Sequence, residues 1–391
     1  MLQRADLTMS SGPNPVFPEV SAALSAPVLY HYDPVFQERF RETERLIGQI
    51  FRTTSHEIIL MQGEAVLGLE AAAKALVTAG TPVLNLVSGV YGKWFGYWLT
   101  DLGADLHQIE VPWDEAIDPA AVAAYLDANP AIRVCSVVHS ETPSGTLNPV
   151  EAIGPICRER GVVTIVDCVS SLGGVELQAE AWQLDLLVAG PQKCLGGPVA
   201  MSLIAVSPQA WAAIDANADA PRGSFLSLLD WRDTWHRQGR FPFTPSVPDV
   251  HGVLAAAQLL LAEGLPAAQY RHERVARACR AGVRAMGLRI WAASDDICGA
   301  SGTSIAVPDG LTDTVVREHI RTRYGVQLSV GDGAGNILRI GHAGHTARAI
   351  WMIAALAAVG QGMADMGADV RIDAGLEAAM HVLSTTDLAR S

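Results

Sequence analysis

Four short apolar runs, "PVLNLV", "IRVCSVV", "VVTIVD" and "LDLLVAG", recur between stretches of helical composition, and this alternation constrains the fold more than any other feature of the chain. Such runs are too brief for helices and suit strands buried on both faces. Between them lie helical stretches at 36–51 and 65–79, "YGKWFGYWLTDLG", "DPAAVAAYLDANP" and "PVEAIGPICRERG", while "DLHQIEVP" reads as a further strand. The alternation predicts an α/β fold with a parallel sheet covered by helices on both sides. In such sheets ligands bind beyond the carboxyl ends of the strands. The positions there are Ser88, residues 139–145, Asp167 and the pair Gln192–Lys193.

At 391 residues the chain is too long for one compact core and predicts two domains. The Pro-rich "RFPFTPSVPDV" breaks the alternation. After it come helices at 251–261 and 270–286, strand-like "LRIWAAS", helix "TDTVVREHIRTRYG", the Gly-rich loop "VGDGAGN" and strand "ILRIG", a smaller α+β unit. The expected division is an arm at 1–20, a large domain at 21–248 and a small domain at 249–391. The longest apolar run, 349–359, falls short of the roughly 20 residues a spanning helix needs. With no basic-then-apolar leader, a cytoplasmic protein without a membrane partner is expected. A net charge of −13 with interspersed acids argues against nucleic acid, which needs clustered Lys and Arg. The six cysteines show no C-x-x-C spacing and read as reduced thiols, although Cys194, beside Lys193, could be a nucleophile if a base lay near it. His342 and His345 have H-x-x-H spacing but no evident third ligand, so no metal site is expected.

Asp167 and Lys193 follow consecutive strands and could share one crevice; an ordinary ion pair or loop residues would look the same. The small residues around the lysine in "AGPQKCLGGP" leave room for a covalent adduct on its amine. A lysine of lowered pKa can condense with an aldehyde. An Asp facing a pyridine nitrogen would keep it protonated and make the ring an electron sink.

Together "SGVYGKWFG", "HSETPSGTLNP", "IVDCVSS", "AGPQKCLGGP" and "LRIGHAG", in this order, resemble the class V aminotransferases of pyridoxal-phosphate fold type I, from about Gly12 to Leu383. The resemblance implies a mixed, mostly parallel seven-stranded sheet in a large domain, a small C-terminal domain and sites at a subunit interface, in a homodimer or homotetramer. It implies that Lys193 is the Schiff-base lysine and proton carrier, Asp167 the partner of the ring nitrogen and Tyr91 the stacking aromatic. Thr142 would bond the ring's 3-oxygen, Arg339 would clamp the substrate carboxylate, and Thr244 would reach the neighbouring subunit's site. Gln192 would lie near the phosphate end.

Residues 64–66 are where the family holds the phosphate, with a small hydroxyl residue and backbone N–H groups at a helix N-terminus. This chain has Glu64 there. A carboxylate about 4 Å from a phosphate charge costs roughly 4 kcal/mol per unit charge at an effective dielectric near 20. Glu64 can instead accept a hydrogen bond from a neutral 5′-hydroxyl, or it can simply cap its helix and point away. With "GEAVLGLEAA", "SGVYGK", "VPWDEAIDP" and "WAASDDI", it resembles family members that convert pyridoxamine and pyruvate to pyridoxal and L-alanine in vitamin B6 breakdown. That reading implies pyridoxal and pyridoxamine as substrates and no tightly bound cofactor. The alternative is a pyridoxal-phosphate-dependent alanine–glyoxylate or serine–pyruvate aminotransferase. A cysteine desulfurase would need a mobile loop cysteine, and a regulatory module an attached DNA-binding segment. The resemblance also implies a second arginine in the Gly-rich loop; "SVGDGAGNILRIG" has Asp332 nearest that position, as an acceptor-selecting residue or part of a solvated loop.

Overall fold

The chain is described by a computed structural model over residues 5–385, so the ends of the expected arm and small domain lie outside the described residues. The larger sheet contains β2 (Glu57–Gln62), β3 (Pro82–Val87), β4 (Asp105–Glu110), β5 (Val134–Val138), β8 (Val163–Asp167), β9 (Leu186–Ala189) and β10 (Met201–Val206). Its order is β2-β10-β9-β8-β5-β3-β4. The central pairs are parallel, and β10 alone runs antiparallel to both neighbours. Every residue of β5, β8, β9 and β10 is buried, as expected for strands covered on both faces, whereas edge strand β4 exposes Asp105, Gln108 and Glu110. The alternation thus yields the α/β sheet it predicts, and the mixed seven-stranded form implied by the resemblance is present.

A second sheet, ordered β1-β12-β13-β11, is built from β1 (Leu7–Met9), β11 (Gly302–Ala306), β12 (Val326–Val330) and β13 (Ile337–Gly341). It has its own core, including Met9, Met286, Ile305, Ile320, Leu338, Ile340 and Leu356. The first described strand, β1, pairs parallel with β12 and joins the N-terminal segment to this smaller unit. The helix Val247–Glu263 buries Val250, Val253, Ala257 and Leu260 in the larger core. A short hairpin, β6 (Ser140–Glu141) with β7 (Thr146–Leu147), lies between the two sheets: Leu147 N–H donates to Ile297 O at 2.7 Å, and Gly299 N–H to Gly145 O at 2.8 Å.

One expected strand is absent. "LRIWAAS" makes only a single bridge, Ile290 with Ile305, because Ala293 N–H turns away to bond Asp114 O at 2.8 Å. Among the described residues no single helix is long and apolar enough to cross a membrane.

Candidate active site

The carboxyl ends of β2, β3, β5, β8 and β9 lie along one edge of the larger sheet, and these ends and the segments that follow them carry Glu64, Tyr91, Thr142, Asp167, Gln192 and Lys193. Lys193 is buried at 8% exposure, with Nζ 3.5 Å from Ser170 Oγ. Burial, followed by the positive charge of Arg339, lowers its pKa to about 8; Asp167 and Glu64 act in the opposite direction. The amine is thus available as a nucleophile near neutral pH. Asp167 ends β8, and its Oδ1 accepts Val169 N–H at 2.8 Å. Burial raises its pKa to about 6, opposed by that hydrogen bond and by the charge of Lys193. Thr142 and Ser170 share a short hydrogen bond between their hydroxyl groups, which places a hydroxyl pair beside the lysine.

Tyr91 lies in the first turn of the helix Val90–Asp101, which leaves β3 through Ser88 and Gly89. Burial is the main cause of its raised phenol pKa, and the charges of Asp332 and Arg339 also act on it. Arg339 is buried on β13, where its Nε donates to Val330 O at 2.7 Å. That bond fixes the stem and leaves the two Nη groups without a hydrogen bond or ion pair among the described residues, the arrangement a bidentate carboxylate clamp requires.

Glu64 caps the helix Ala65–Leu76, with Oε2 accepting Val66 N–H at 2.9 Å. It does not point away from the lysine: Oε1 accepts Gln192 Nε2 at 2.7 Å, and its charge acts on both Lys193 and Asp167. Other donors of that helix end are also taken, Leu67 N–H by Glu64 O at 2.8 Å and Gly68 N–H by Ser202 Oγ at 3.1 Å. Gln192 Oε1 is buried without a partner.

The structure therefore brings together seven of the eight expected residues. Thr244 is the exception: it is exposed and lies outside this cluster. His342 is buried against Thr303 Oγ1 (2.8 Å) and Ala300 O (3.0 Å), while His345 packs edge-on to Phe17, so the H-x-x-H pair serves packing. Among the described residues no group of three metal-ligating side chains occurs. Cys194 donates to Ser170 O, and burial raises its pKa to about 12, which makes it a thiol and not a thiolate nucleophile.

Three further residues, to which the sequence assigns no role, take part in the site. Ser170, three residues beyond Asp167, links Thr142 and Lys193. Glu141, inside the quoted "HSETPSG", is fully buried and accepts the N–H groups of Tyr91 and Gly92. Gly12 lies directly on the lysine, so close that an added Cβ would meet Lys193 Cε at 2.4 Å. Only Ser170 and Glu141 carry a readable signal, an unassigned polar residue within a motif.

The description Aminotransferase class-V belongs to a family model that matches residues 19–355. The chain is 47% identical to the pyridoxamine–pyruvate transaminase of Mesorhizobium japonicum over 96% of both chains. It is 28% identical to the (S)-ureidoglycine–glyoxylate transaminase of Bacillus subtilis over 97% of this chain and 94% of that one. The crystal structure of pyridoxamine-pyruvate aminotransferase from Mesorhizobium loti superposes with a TM-score of 0.95 at 46% identity, covering 98% of each chain.

These matches correct one expectation. The class-V aminotransferases depend on pyridoxal phosphate, which overturns the reading that no tightly bound cofactor is involved. The charge argument at Glu64 concerns only the 5′ end of such a molecule; the ring end, with Lys193, Asp167 and the Thr142–Ser170 hydroxyls, fits a pyridine aldehyde.

Proposed function

The chain belongs to the class-V aminotransferases, and from that premise we propose that it carries the amino group of pyridoxamine to pyruvate, giving pyridoxal and L-alanine, reversibly, as a step of vitamin B6 breakdown. The observation that carries this reading is the position of Glu64. A carboxylate already occupies the helix end where a phosphate would gather N–H donors, and the neighbouring Gln192 Oε1 lacks a donor. A 5′-hydroxyl brings a donor to that end, whereas a phosphate dianion brings only acceptors and charge.

When bound, the pyridine ring supplies an electron sink. The protein supplies the rest. Asp167 holds the proton on the ring nitrogen. Thr142 and Ser170 orient the ring through its 3-oxygen, and Tyr91 covers a ring face. Lys193 would hold the aldehyde end of the ring, and its Nζ would carry a proton between the amino acid's Cα and the ring's exocyclic carbon. Arg339 takes the carboxylate of pyruvate or alanine through two parallel hydrogen bonds.

The exposed Thr244, with exposed Tyr30, Phe225, Trp94 and Tyr97, supports a homodimer or homotetramer in which Thr244 reaches the next subunit's site. Six free cysteines support a reducing, cytoplasmic setting.

The test compares pyridoxamine with its 5′-phosphate as amino donors to pyruvate, following alanine formation. Pyridoxamine is expected to be the better donor in kcat/KM by at least about a hundredfold, the scale of the charge penalty after screening. Equal or better turnover of the phosphate ester would overturn the assignment.

A further inference from the structure

The hairpin β6–β7 places one carboxylate in an unusual setting. Glu141 has no exposed surface, and among the described residues it has no Lys or Arg partner in an ion pair. Its two oxygens instead accept the N–H groups of Tyr91 (3.2 Å) and Gly92 (2.7 Å), first-turn donors of the helix Val90–Asp101. The cap residue of that helix, Gly89, offers no side chain, and the carboxylate takes over its role. The packing is specific to this arrangement: a Cβ on Gly89 would lie 2.6 Å from Glu141 Cδ, and one on Gly92 would lie 3.0 Å from Leu86 O.

The next two residues extend the same contact to the rest of the site. The Thr142 hydroxyl bonds Ser170, on the turn that follows Asp167. Pro143 O accepts Ser304 Oγ at 2.9 Å, and Ser304 is the direct cross-strand partner of Arg339. Residues 141–143 therefore touch the element carrying Tyr91, the turn carrying Ser170 and the sheet carrying Arg339.

We propose that Glu141 is a positioning residue for this transaminase: by gripping the Tyr91 helix from the hairpin that also holds Thr142 and the Arg339 sheet, it sets the aromatic cover in register with the ring-binding hydroxyls and the carboxylate clamp. The inference rests on the reading of the site as one that holds a pyridoxal ring, but not on which vitamer is preferred. Glu141 bonds the Tyr91 helix, whereas Glu64 guards the 5′ end.

The test is a spectrophotometric titration of the protein with pyridoxal and, separately, with pyridoxal 5′-phosphate, for the wild type, Glu141→Gln and Glu141→Asp, alongside melting curves and steady-state rates. Glu141→Gln keeps the size but replaces one acceptor by an N–H₂ facing an N–H. It is expected to weaken both ring compounds by a similar factor, about tenfold or more, with KM for pyridoxamine rising more than kcat falls. Glu141→Asp retains both carboxyl oxygens as acceptors and is expected to recover part of that loss. Unchanged ring affinity in a folded Glu141→Gln protein overturns the proposal. So does a loss that follows the fall in melting temperature and is no smaller in Glu141→Asp, since that would be a purely structural effect. If Glu141→Gln does not fold, Ser304→Ala, which cuts only the Pro143 tether, takes its place. It is expected to raise KM for pyruvate, and an unchanged value overturns the coupling to Arg339. A failed vitamer assignment would instead appear as a wild-type preference for the phosphate ester and would leave the Glu141 result readable.

Discussion

Gln192 Nε2 donates to Glu64 Oε1 at 2.7 Å, so the residue preceding the reactive lysine is bonded to the acid at the helix N-terminus. That bond holds the carboxylate toward the site, and Oε2 meanwhile satisfies Val66 N–H. Glu64→Gln removes the charge and keeps an acceptor for either donor. The expected outcome is a narrowing of the preference for pyridoxamine over pyridoxamine 5′-phosphate by about tenfold or more, since a tenfold change requires only about 1.4 kcal/mol of the charge repulsion. The measurement is the ratio of kcat/KM for the two donors. A ratio unmoved by the substitution would remove the charge as the cause of selectivity.

Gly12 makes the N-terminal segment part of the site. Its φ of +137° is rarely adopted by residues with side chains, and a Cβ would come within 2.4 Å of Lys193 Cε. Gly12→Ala should therefore both strain the backbone, by on the order of 1–3 kcal/mol, and displace the lysine or the segment above it. Gly310, with φ of +86° and nothing within 4 Å of an added Cβ, provides the control. Gly310→Ala is expected to lower the melting temperature while leaving kcat/KM within about twofold of wild type, because it shares only the strain. Gly12→Ala should lose about tenfold or more in kcat/KM beyond any stability effect. Equal activity in the two variants would show that the contact with Lys193 is without consequence.

The parts of this site that were legible in the sequence share a physical origin. Asp167 and Lys193 follow apolar strands buried on both faces, and their positions at the strand ends follow from that local pattern. The Glu141 contact is different, because its donors lie 50 and 49 residues away on another element, and nothing local to "SETPSG" states that a helix will end there. Gly12 has the same character, since only the folded path brings it to the lysine. Strand β10 is apolar enough to read as a strand, but its antiparallel direction depends on lying between β2 and β9. "LRIWAAS" has strand composition, yet a bond from Ala293 to Asp114 draws it off the small sheet. Long-range partners decided each of these cases.

The pKa values of Lys193 and Asp167 set a pH dependence with a defined sign. Capture of pyridoxal by the free protein needs a neutral Lys193 amine, pKa about 8, and an ionised Asp167, pKa about 6. The capture rate should rise with pH in two limbs near these values, and stopped-flow absorbance would resolve them. Stability responds too. The folded pKa of Lys193 lies below its ordinary 10.5, so between about 8 and 10.5 the folded protein binds fewer protons than the unfolded chain, and the contribution of this group to stability rises with pH through that window. The difference corresponds to a burial cost of about 3 kcal/mol at neutral pH. Lys193→Met should abolish turnover and melt higher than wild type at pH 7, with the gap narrowing by pH 10. Asp167, raised from 3.8 to about 6, acts in the other direction, losing its contribution as pH rises between those values. A gap between wild type and Lys193→Met that does not change with pH would mean that the amine is not buried as a depressed base.

Asp332 should decide which keto acids reach the clamp. It lies in the loop between β12 and β13, two residues beyond Val330, whose carbonyl oxygen accepts Arg339 Nε at 2.7 Å. Its backbone adopts φ of +53°, and its charge acts on both Tyr91 and Arg339, so it shares the mouth of the site with them. It makes no ion pair with Arg339 among the described residues, which leaves the guanidinium available to a substrate carboxylate. An acceptor with one carboxylate, such as pyruvate, meets only the cation. A second carboxylate, as in oxaloacetate or 2-oxoglutarate, would also meet Asp332, at a cost of roughly 3 kcal/mol for 6 Å and an effective dielectric near 20, reduced to about half by solvent at this half-buried position. Wild-type protein is therefore expected to favour pyruvate over the dicarboxylic acids, and Asp332→Asn to narrow that preference by about tenfold while leaving kcat/KM for pyruvate within about threefold. The measurement is competition among the three acceptors with pyridoxamine as donor. If Asp332→Asn leaves the ratios where they were, the loop acid faces solvent and the selectivity resides in the shape around Arg339.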